Sequence, residues 1–265
     1  MAVRRRRALR AHLAVVLVFL YLPIVTLVAL SFNHEGLPTA WGGFSMRWYR
    51  ALAADRELLA SVGNSLIVGV TVTAISCVLG TLLAIGLHRT VRSRVLDAAL
   101  FLPAIIPDIV LAIALLISFN LMRVPLGLHT IAIAHVVFDM VFVAAIVRTR
   151  LAYFDRRVEE ASLDLYATPL QTFRLVTLPI IAPGIVAGAL IAFTLSIDEF
   201  VIAFFNSGPT SITFPIRVYS RIRFGVTPVI NAVATIVLVG SLVLIAVALR
   251  VSRPRGQDRL ALGGA

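Results

Sequence analysis

Long apolar segments separated by short polar ones make up most of this chain. A helix crosses the roughly 30 Å hydrocarbon core of a bilayer with about 20 mainly apolar residues. Six segments meet that length, approximately residues 12–32, 62–87, 96–121, 131–147, 180–205 and 230–249. They are continuously apolar, whereas membrane strands alternate between apolar and polar residues. The pattern therefore predicts an all-α integral membrane protein in which residues 1–265 form one domain with six spanning helices.

Composition supports this class of protein. Hydrophobic residues make up 60% of the chain, charged residues 14%, and the mean hydropathy is +0.98. Soluble globular domains carry a much larger charged fraction. All 24 basic residues are arginine, and they lie at the ends of apolar segments rather than on one clustered face, which disfavours nucleic-acid binding. Because Cys77 is the single cysteine, an intrachain disulfide and a cysteine-based metal centre are excluded, and we predict no bound metal.

The arginines also indicate a topology. With the N-terminus in the cytoplasm, 17 of the 24 arginines fall on the cytoplasmic side, as the positive-inside rule expects. Arg217, Arg221 and Arg223 fall outside and weaken that bias. The first apolar segment follows a basic start like that of a signal peptide, but it is long and lacks a clear cleavage motif, so we interpret it as an uncleaved span. An even number of spans returns the C-terminus to the cytoplasm.

The polar segment over residues 151–179 has helical rather than loop character. Val158, Ala161 and Leu165 are three and four residues apart and predict one small apolar helical face that another surface must cover. The sequence 168–171, Thr-Pro-Leu-Gln, then has the features of a capping box with proline in the first helical turn. Two short cytoplasmic helices joined by a tight bend are predicted.

Four carboxylates occur at membrane depth, where ionisable groups are costly and are functional candidates by default. They are Asp108, Asp139, Asp198 and Glu199. No arginine lies inside a predicted span to neutralise them, which favours a route for a cation such as a polyamine. Prolines before Asp108 would let its helix bend toward a water-filled cavity. The alternatives are that some of these acids are protonated, pair with His135, or lie near an interface.

The loop resembles a motif of permease subunits from ATP-binding-cassette importers. That motif reads Glu-Ala-Ala, three residues, Gly, nine residues, Ile-x-Leu-Pro. Here Glu160, Ala161, Leu178 and Pro179 match it, while Ser162, Tyr166 and Val176 replace Ala, Gly and Ile. The segments 196–200, Ser-Ile-Asp-Glu-Phe, and 223–225, Arg-Phe-Gly, are similar to the second permease subunit of spermidine/putrescine importers.

The resemblance implies a type I importer permease fold in the bacterial cytoplasmic membrane. It implies that Glu160, Ala161, Ser162, Asp164 and Tyr166 engage an ATPase, and that the carboxylates line the substrate path. The implied partners are two ATP-binding cassette subunits, a second homologous permease and an extracytoplasmic solute-binding protein. The chain itself would be no enzyme and bind no cofactor, since ATP and Mg belong to the ATPases. The phosphate loop Gly-x-x-x-x-Gly-Lys-Ser/Thr is absent from the sequence, which contains no lysine.

Two other functions stay open from the sequence. The first is an importer permease of the same class with another small solute, such as ferric iron or an organic cation. The second is a proton-coupled secondary transporter in which the aspartates and His135 relay protons. The second predicts internal inverted repeats, which the sequence does not show, and it gives residues 151–179 no role.

Overall fold

The computed structural model describes residues 2–36, 41–89, 94–223 and 228–251, and within these ranges it is helical without β-strands. Its helices are α1 (Ala2–Ser31), α2 (Arg47–Ala54), α3 (Arg56–Arg89), α4 (Arg94–Ile105), α5 (Asp108–Leu121), α6 (Leu128–Ala152), α7 (Arg157–Asp164), α8 (Pro169–Thr172), α9 (Leu178–Asp198), α10 (Val201–Asn206), α11 (Phe214–Ile222) and α12 (Pro228–Val251), with a π-helical turn, Phe173–Thr177, before α9. The all-α prediction is confirmed.

Four helical segments of the described chain are long and apolar enough to cross a membrane: Leu9–Ser31, Arg56–Arg89, Leu128–Ala152 and Pro169–Asp198. The pair α4 and α5 makes a fifth if it counts as one bent span. The predicted last span falls in α12, whose apolar part, Pro228–Val243, is shorter. The count of six spans, the single domain and the cytoplasmic location of both termini stay predictions. Some predictions from the sequence rest on positions outside the described residues, namely Arg92, Arg253, Arg255, Arg259 and the segment 224–227.

Two of the predicted continuous spans are broken in the structure. The segment 96–121 bends by 104° between α4 and α5 at Pro107, which has no N–H to continue the helical ladder. The segment 180–205 breaks between α9 and α10, where Glu199 adopts an extended conformation with ψ of 110°. A charged residue borders the break in both places. The apolar pattern of the sequence alone did not reveal either break.

The described residues form two compact units, of which the larger comprises those that lie within Ala60–Arg217 and Val243–Ala265. Within this unit, α6 packs closely against α9. Gly184 and Gly188 are four residues apart in the sequence, a small-xxx-small spacing that predicts close approach of another helix, and a Cβ built on Gly188 would lie 3.2 Å from Cγ1 of Val143. A Cβ on Gly184 would lie 3.1 Å from the Cβ of Arg150. The prediction of close packing is confirmed, and α6 is the neighbour.

At its other end, α6 contacts α5 and α10 around a buried polar anchor. The Asn206 amide donates to the carbonyl oxygens of Ile202, at 3.0 Å, and of Ala112, at 3.3 Å. The Thr130 hydroxyl donates to the Asn206 carbonyl at 2.8 Å. These bonds join α10 to α5 and α6, so the chain break that precedes α10 is held in place from one side.

The smaller unit comprises Met1–Leu59 and Val218–Leu242. Within it, Asp55 accepts two hydrogen bonds from the Arg221 guanidinium, at 2.5 and 3.0 Å, and one from the backbone N–H of Leu58 at 3.0 Å. The hydrogen bond with Asp55 raises the pKa of Arg221. Asp55 thereby links the start of α3 to α11.

Candidate functional site

The two short helices predicted within residues 151–179 are present as α7 and α8. We call residues 157–177 the elbow; it comprises α7, a tight turn, α8 and the π-helical turn. Thr168 and Gln171 form the predicted capping box, in which the Gln171 N–H donates to the Thr168 hydroxyl at 3.3 Å and the Thr168 N–H donates to the Gln171 side chain at 2.8 Å. A hydrogen bond of 3.0 Å between the hydroxyls of Ser162 and Thr172 joins the two helices. The elbow is therefore an ordered helical segment held by its own side-chain hydrogen bonds.

Helix α7 ends in a Schellman motif centred on Tyr166. The Tyr166 N–H donates to the Leu163 carbonyl at 2.9 Å, and the Ala167 N–H donates to the Ser162 carbonyl at 3.2 Å. Tyr166 has φ of +61°, the left-handed conformation that glycine normally supplies at this position. The resemblance placed a family glycine here, and the hydrogen bonds show what a glycine would do: end α7 without backbone strain.

Tyr166→Gly should therefore stabilise the elbow by about 1 kcal/mol, since left-handed backbone costs a non-glycine residue about that much. Hydrogen exchange should show about fivefold greater protection of the Tyr166 and Ala167 amides, by the same free energy. Tyr166→Phe is the matched control and should leave exchange unchanged, because the ring is 97% exposed. Equal exchange in the glycine and phenylalanine variants would show that the turn carries no strain.

The residues predicted to engage an ATPase lie mostly on the solvent side of the elbow. Glu160, Ala161, Asp164 and Tyr166 are exposed, and Ser162 is half-buried. Large apolar side chains accompany them: Leu163, Leu165, Leu170 and Leu175 are exposed as well. The apolar face predicted to need a cover, formed by Val158, Ala161 and Leu165, is likewise exposed in the chain by itself. The role of these residues stays a prediction.

Glu159, beside the predicted Glu160, is the residue that α7 buries, with 8% of its surface exposed. Its Oε1 atom forms an ion pair with Nη2 of Arg89, the last residue of α3, and accepts a hydrogen bond from the Thr177 hydroxyl. Sequence reasoning missed this residue. The signal was weak: Glu159 precedes Ser162 by three residues and so shares its helical face.

Three of the four membrane-depth carboxylates lie at helix breaks. Asp108 is the first residue of α5, directly after the bend at Pro107, and it is exposed. Asp198 is the last residue of α9 and is also exposed. Glu199 follows in the extended link to α10, half-buried, and its Oε1 accepts a hydrogen bond of 2.9 Å from the Ile202 N–H. Glu199 therefore caps α10 with one oxygen.

The fourth carboxylate, Asp139, is buried on α6, one helical turn from buried His135. The sequence left open a pairing of these acids with His135, but the His135 Nδ1 atom instead contacts the Ser196 hydroxyl of α9 at 2.9 Å. The His135 Nε2 and Asp139 Oδ2 atoms are buried without a hydrogen-bond partner. Buried polar atoms without partners are rare and mark places that water or a ligand can serve.

Glu199 lies within electrostatic range of Asp108, Asp139 and Asp198, and we call these four acids the carboxylate cluster. Ionised acids within electrostatic range repel one another, and a cation lying between them relieves that repulsion. The cluster thus contains residues from α5, α6, the end of α9 and the link between α9 and α10. Among the described residues no group of three or more His, Cys, Asp or Glu side chains is arranged to hold a metal ion.

The sequence of residues 76–255 matches the family described as binding-protein-dependent transport system inner membrane component. The putrescine transport system permease protein PotI of Escherichia coli K12 is 42% identical over 229 residues, which cover 83% of this chain and 82% of that protein. The spermidine/putrescine transport system permease protein PotC of the same organism is 36% identical over 239 residues, covering 89% and 90%.

Solved structures of transporters have the same fold at low sequence identity. A chain of a bacterial ABC transporter involved in the import of the acidic polysaccharide alginate superimposes with a TM-score of 0.72 and 14% identity, over 94% of this chain and 97% of that one. A chain of the MetNI methionine ABC transporter in an inward-facing conformation gives a TM-score of 0.61 and 20% identity, over 79% and 98%. These likenesses show the importer permease fold and carry no information on the cargo.

Proposed function

The chain belongs to the family of binding-protein-dependent transport system inner membrane components, and from that premise we propose that it is the permease subunit of an ATP-driven polyamine importer. As a membrane permease component it is non-catalytic. Its cargo under this proposal is putrescine or spermidine, the substrates in the names of the relatives that are 42% and 36% identical to it.

The carboxylate cluster is the observation that supports a cationic cargo. Glu199 lies in electrostatic range of three further acids, and the ion pairs resolved in the described residues, Arg89 with Glu159 and Arg221 with Asp55, involve none of the four. A polyamine carries separated ammonium groups on a flexible chain, so it can meet several spaced carboxylates at once. An anionic cargo would be repelled by the same arrangement.

Alternating access is the transport mechanism that we propose. Nucleotide-driven movement of the ATPases would act on the elbow and switch the cluster between outward and inward exposure. Helix ends at Asp108 and Glu199 suit this role, because irregular backbone at membrane depth is tolerated where it lines a cavity. The acids must hold the cation weakly enough to release it.

The proposed assembly contains two ATP-binding cassette subunits, a second homologous permease and an extracytoplasmic solute-binding protein. The exposed residues of the elbow, Glu160 and Tyr166 among them, would contact an ATPase. ATP and Mg would be bound by those ATPases and no cofactor by this chain. The location would be the bacterial cytoplasmic membrane, with both termini in the cytoplasm.

Uptake in cells tests the proposed cargo. A bacterial strain lacking its own polyamine importers would express this chain with its partner ATPase, permease and binding protein, and accumulation of labelled putrescine and spermidine would be measured. We expect accumulation that disappears when this chain alone is omitted. Accumulation of neither polyamine, with all four proteins present in the membrane fraction or periplasm, would refute the cargo and favour another solute of the same importer class.

A further inference from the structure

Within the described part of the elbow, Glu159 is the one residue whose carboxylate joins three helical elements through a single oxygen atom. Its Oε1 atom accepts a hydrogen bond from the guanidinium of Arg89, at the end of α3. The same atom accepts a second hydrogen bond from the hydroxyl of Thr177, in the π-helical turn that leads into α9. We propose that Glu159 is a positioning residue that transmits movement of the elbow to the two long helices α3 and α9. The proposal rests on the proposed function as an ATP-driven permease.

Burial makes this connection strong. The side chains of Arg89 and Glu159 are 27% and 11% exposed, so the ion pair is only weakly screened by water. A buried carboxylate that loses its partner keeps the full penalty of desolvation, and for that reason the pair holds together when the elements around it move. Glu160, by contrast, is exposed and free to face a partner protein. Adjacent residues of an α-helix point about 100° apart, so Glu159 faces inward while Glu160 faces solvent.

The connection reaches the carboxylate cluster through α9. That helix has 21 residues, Leu178–Asp198, and it joins the π-helical turn at one end to Asp198 and the extended Glu199 at the other. At 1.5 Å per residue it spans about 30 Å, roughly the hydrocarbon thickness of a bilayer. A shift of Thr177 therefore acts on one continuous helix that ends at the cluster. The π-helical turn between α8 and α9 supplies the wide, non-α backbone that often marks functional positions.

The test uses the complete complex of this chain with its ATPase, partner permease and binding protein in proteoliposomes. Two quantities are measured: the fold stimulation of ATP hydrolysis by the loaded binding protein, and labelled polyamine taken up per ATP. For Glu159→Gln we expect co-purification of all subunits, an unchanged unstimulated rate of hydrolysis, and about tenfold less uptake per ATP, the effect of losing one charge-assisted interaction.

The matched control is Asp155→Asn, which makes the same chemical change in an exposed carboxylate of the same cytoplasmic segment. Asp155 accepts a hydrogen bond of 3.0 Å from the Arg157 N–H, and asparagine can still accept it. We expect wild-type coupling from this control. Equal coupling in Glu159→Gln and Asp155→Asn would overturn the proposal.

A double-variant cycle separates transmission from general structure. If Glu159 and Arg89 act as one unit, Glu159→Gln combined with Arg89→Gln should lower uptake per ATP no further than either single change. Losses that multiply would contradict a shared role.

Thr177→Val provides a second test if Glu159→Gln prevents assembly. It keeps the ion pair and removes one hydrogen bond, and we expect partial loss of coupling. Wild-type coupling in Thr177→Val would refute the proposal. A wild-type complex whose hydrolysis is stimulated by the binding protein without polyamine uptake would refute the cargo alone. Glu159→Gln should then lower that stimulation, and unchanged stimulation would refute the role of Glu159.

Discussion

Glu199→Gln should lower polyamine uptake about thirtyfold, which corresponds to about 2 kcal/mol of lost interaction between a carboxylate and an ammonium group. Glutamine keeps a side-chain oxygen at the same distance from the backbone, so it can still accept the hydrogen bond from the Ile202 N–H that caps α10. The substitution therefore removes charge while it preserves the local fold. Initial rates of labelled putrescine and spermidine uptake in proteoliposomes give the measurement.

The control for this prediction is the thermal stability of the purified variant permease, which should equal that of the wild type. A stable Glu199→Gln permease that takes up both polyamines within about twofold of the wild-type rate would show that the carboxylate cluster is not on the cation path. A loss of uptake accompanied by a loss of stability would assign Glu199 a structural role instead.

Gly80→Ala should destabilise the permease by about 2 kcal/mol, because it inserts a methyl group into a fully packed contact between α3 and α6. A Cβ at position 80 would lie 2.7 Å from the backbone oxygen of Met140 and 2.8 Å from the Cβ of Val143. Neither atom can move without shifting α6. For a protein of this size, the midpoint of thermal unfolding in detergent should fall by about 5 °C.

Gly86→Ala is the matched control, since the same helix α3 carries this glycine with no heavy atom within 4 Å of its built Cβ. Alanine has a higher helix propensity than glycine by about 1 kcal/mol, so this change should leave the midpoint unchanged or raise it. Equal midpoints for the two variants would show that α3 and α6 do not approach as closely as the structure has them.

Much of the fold follows from pattern. Continuous apolar segments predict the long helices because a membrane helix must satisfy its backbone internally and cover itself with apolar side chains. The capping box at Thr168 and Gln171 is local chemistry, and the sequence alone therefore located the start of α8. The spacing of Gly184 and Gly188 likewise predicted close packing, which α6 provides.

The rest depends on contacts between residues far apart in the chain. Glu159 and Glu160 are identical in chemistry, and only the location of Arg89 and Thr177 decides which of them is buried. The break after Asp198 has no proline beside it to mark it in the sequence; the extended Glu199 there is stabilised by the hydrogen bond that its side chain accepts from the Ile202 N–H. The location of Asp139 near Glu199 depends on how α6 packs against α9, which periodicity does not define.

ATP-dependent uptake of labelled putrescine and spermidine is the most direct test of this account. Proteoliposomes would contain this chain with its ATPase, partner permease and binding protein, with ATP supplied on the ATPase side. The account predicts polyamine accumulation that requires ATP and the binding protein and that decreases when Glu160, on the exposed face of the elbow, is replaced. Accumulation driven by a proton gradient without ATP would contradict it.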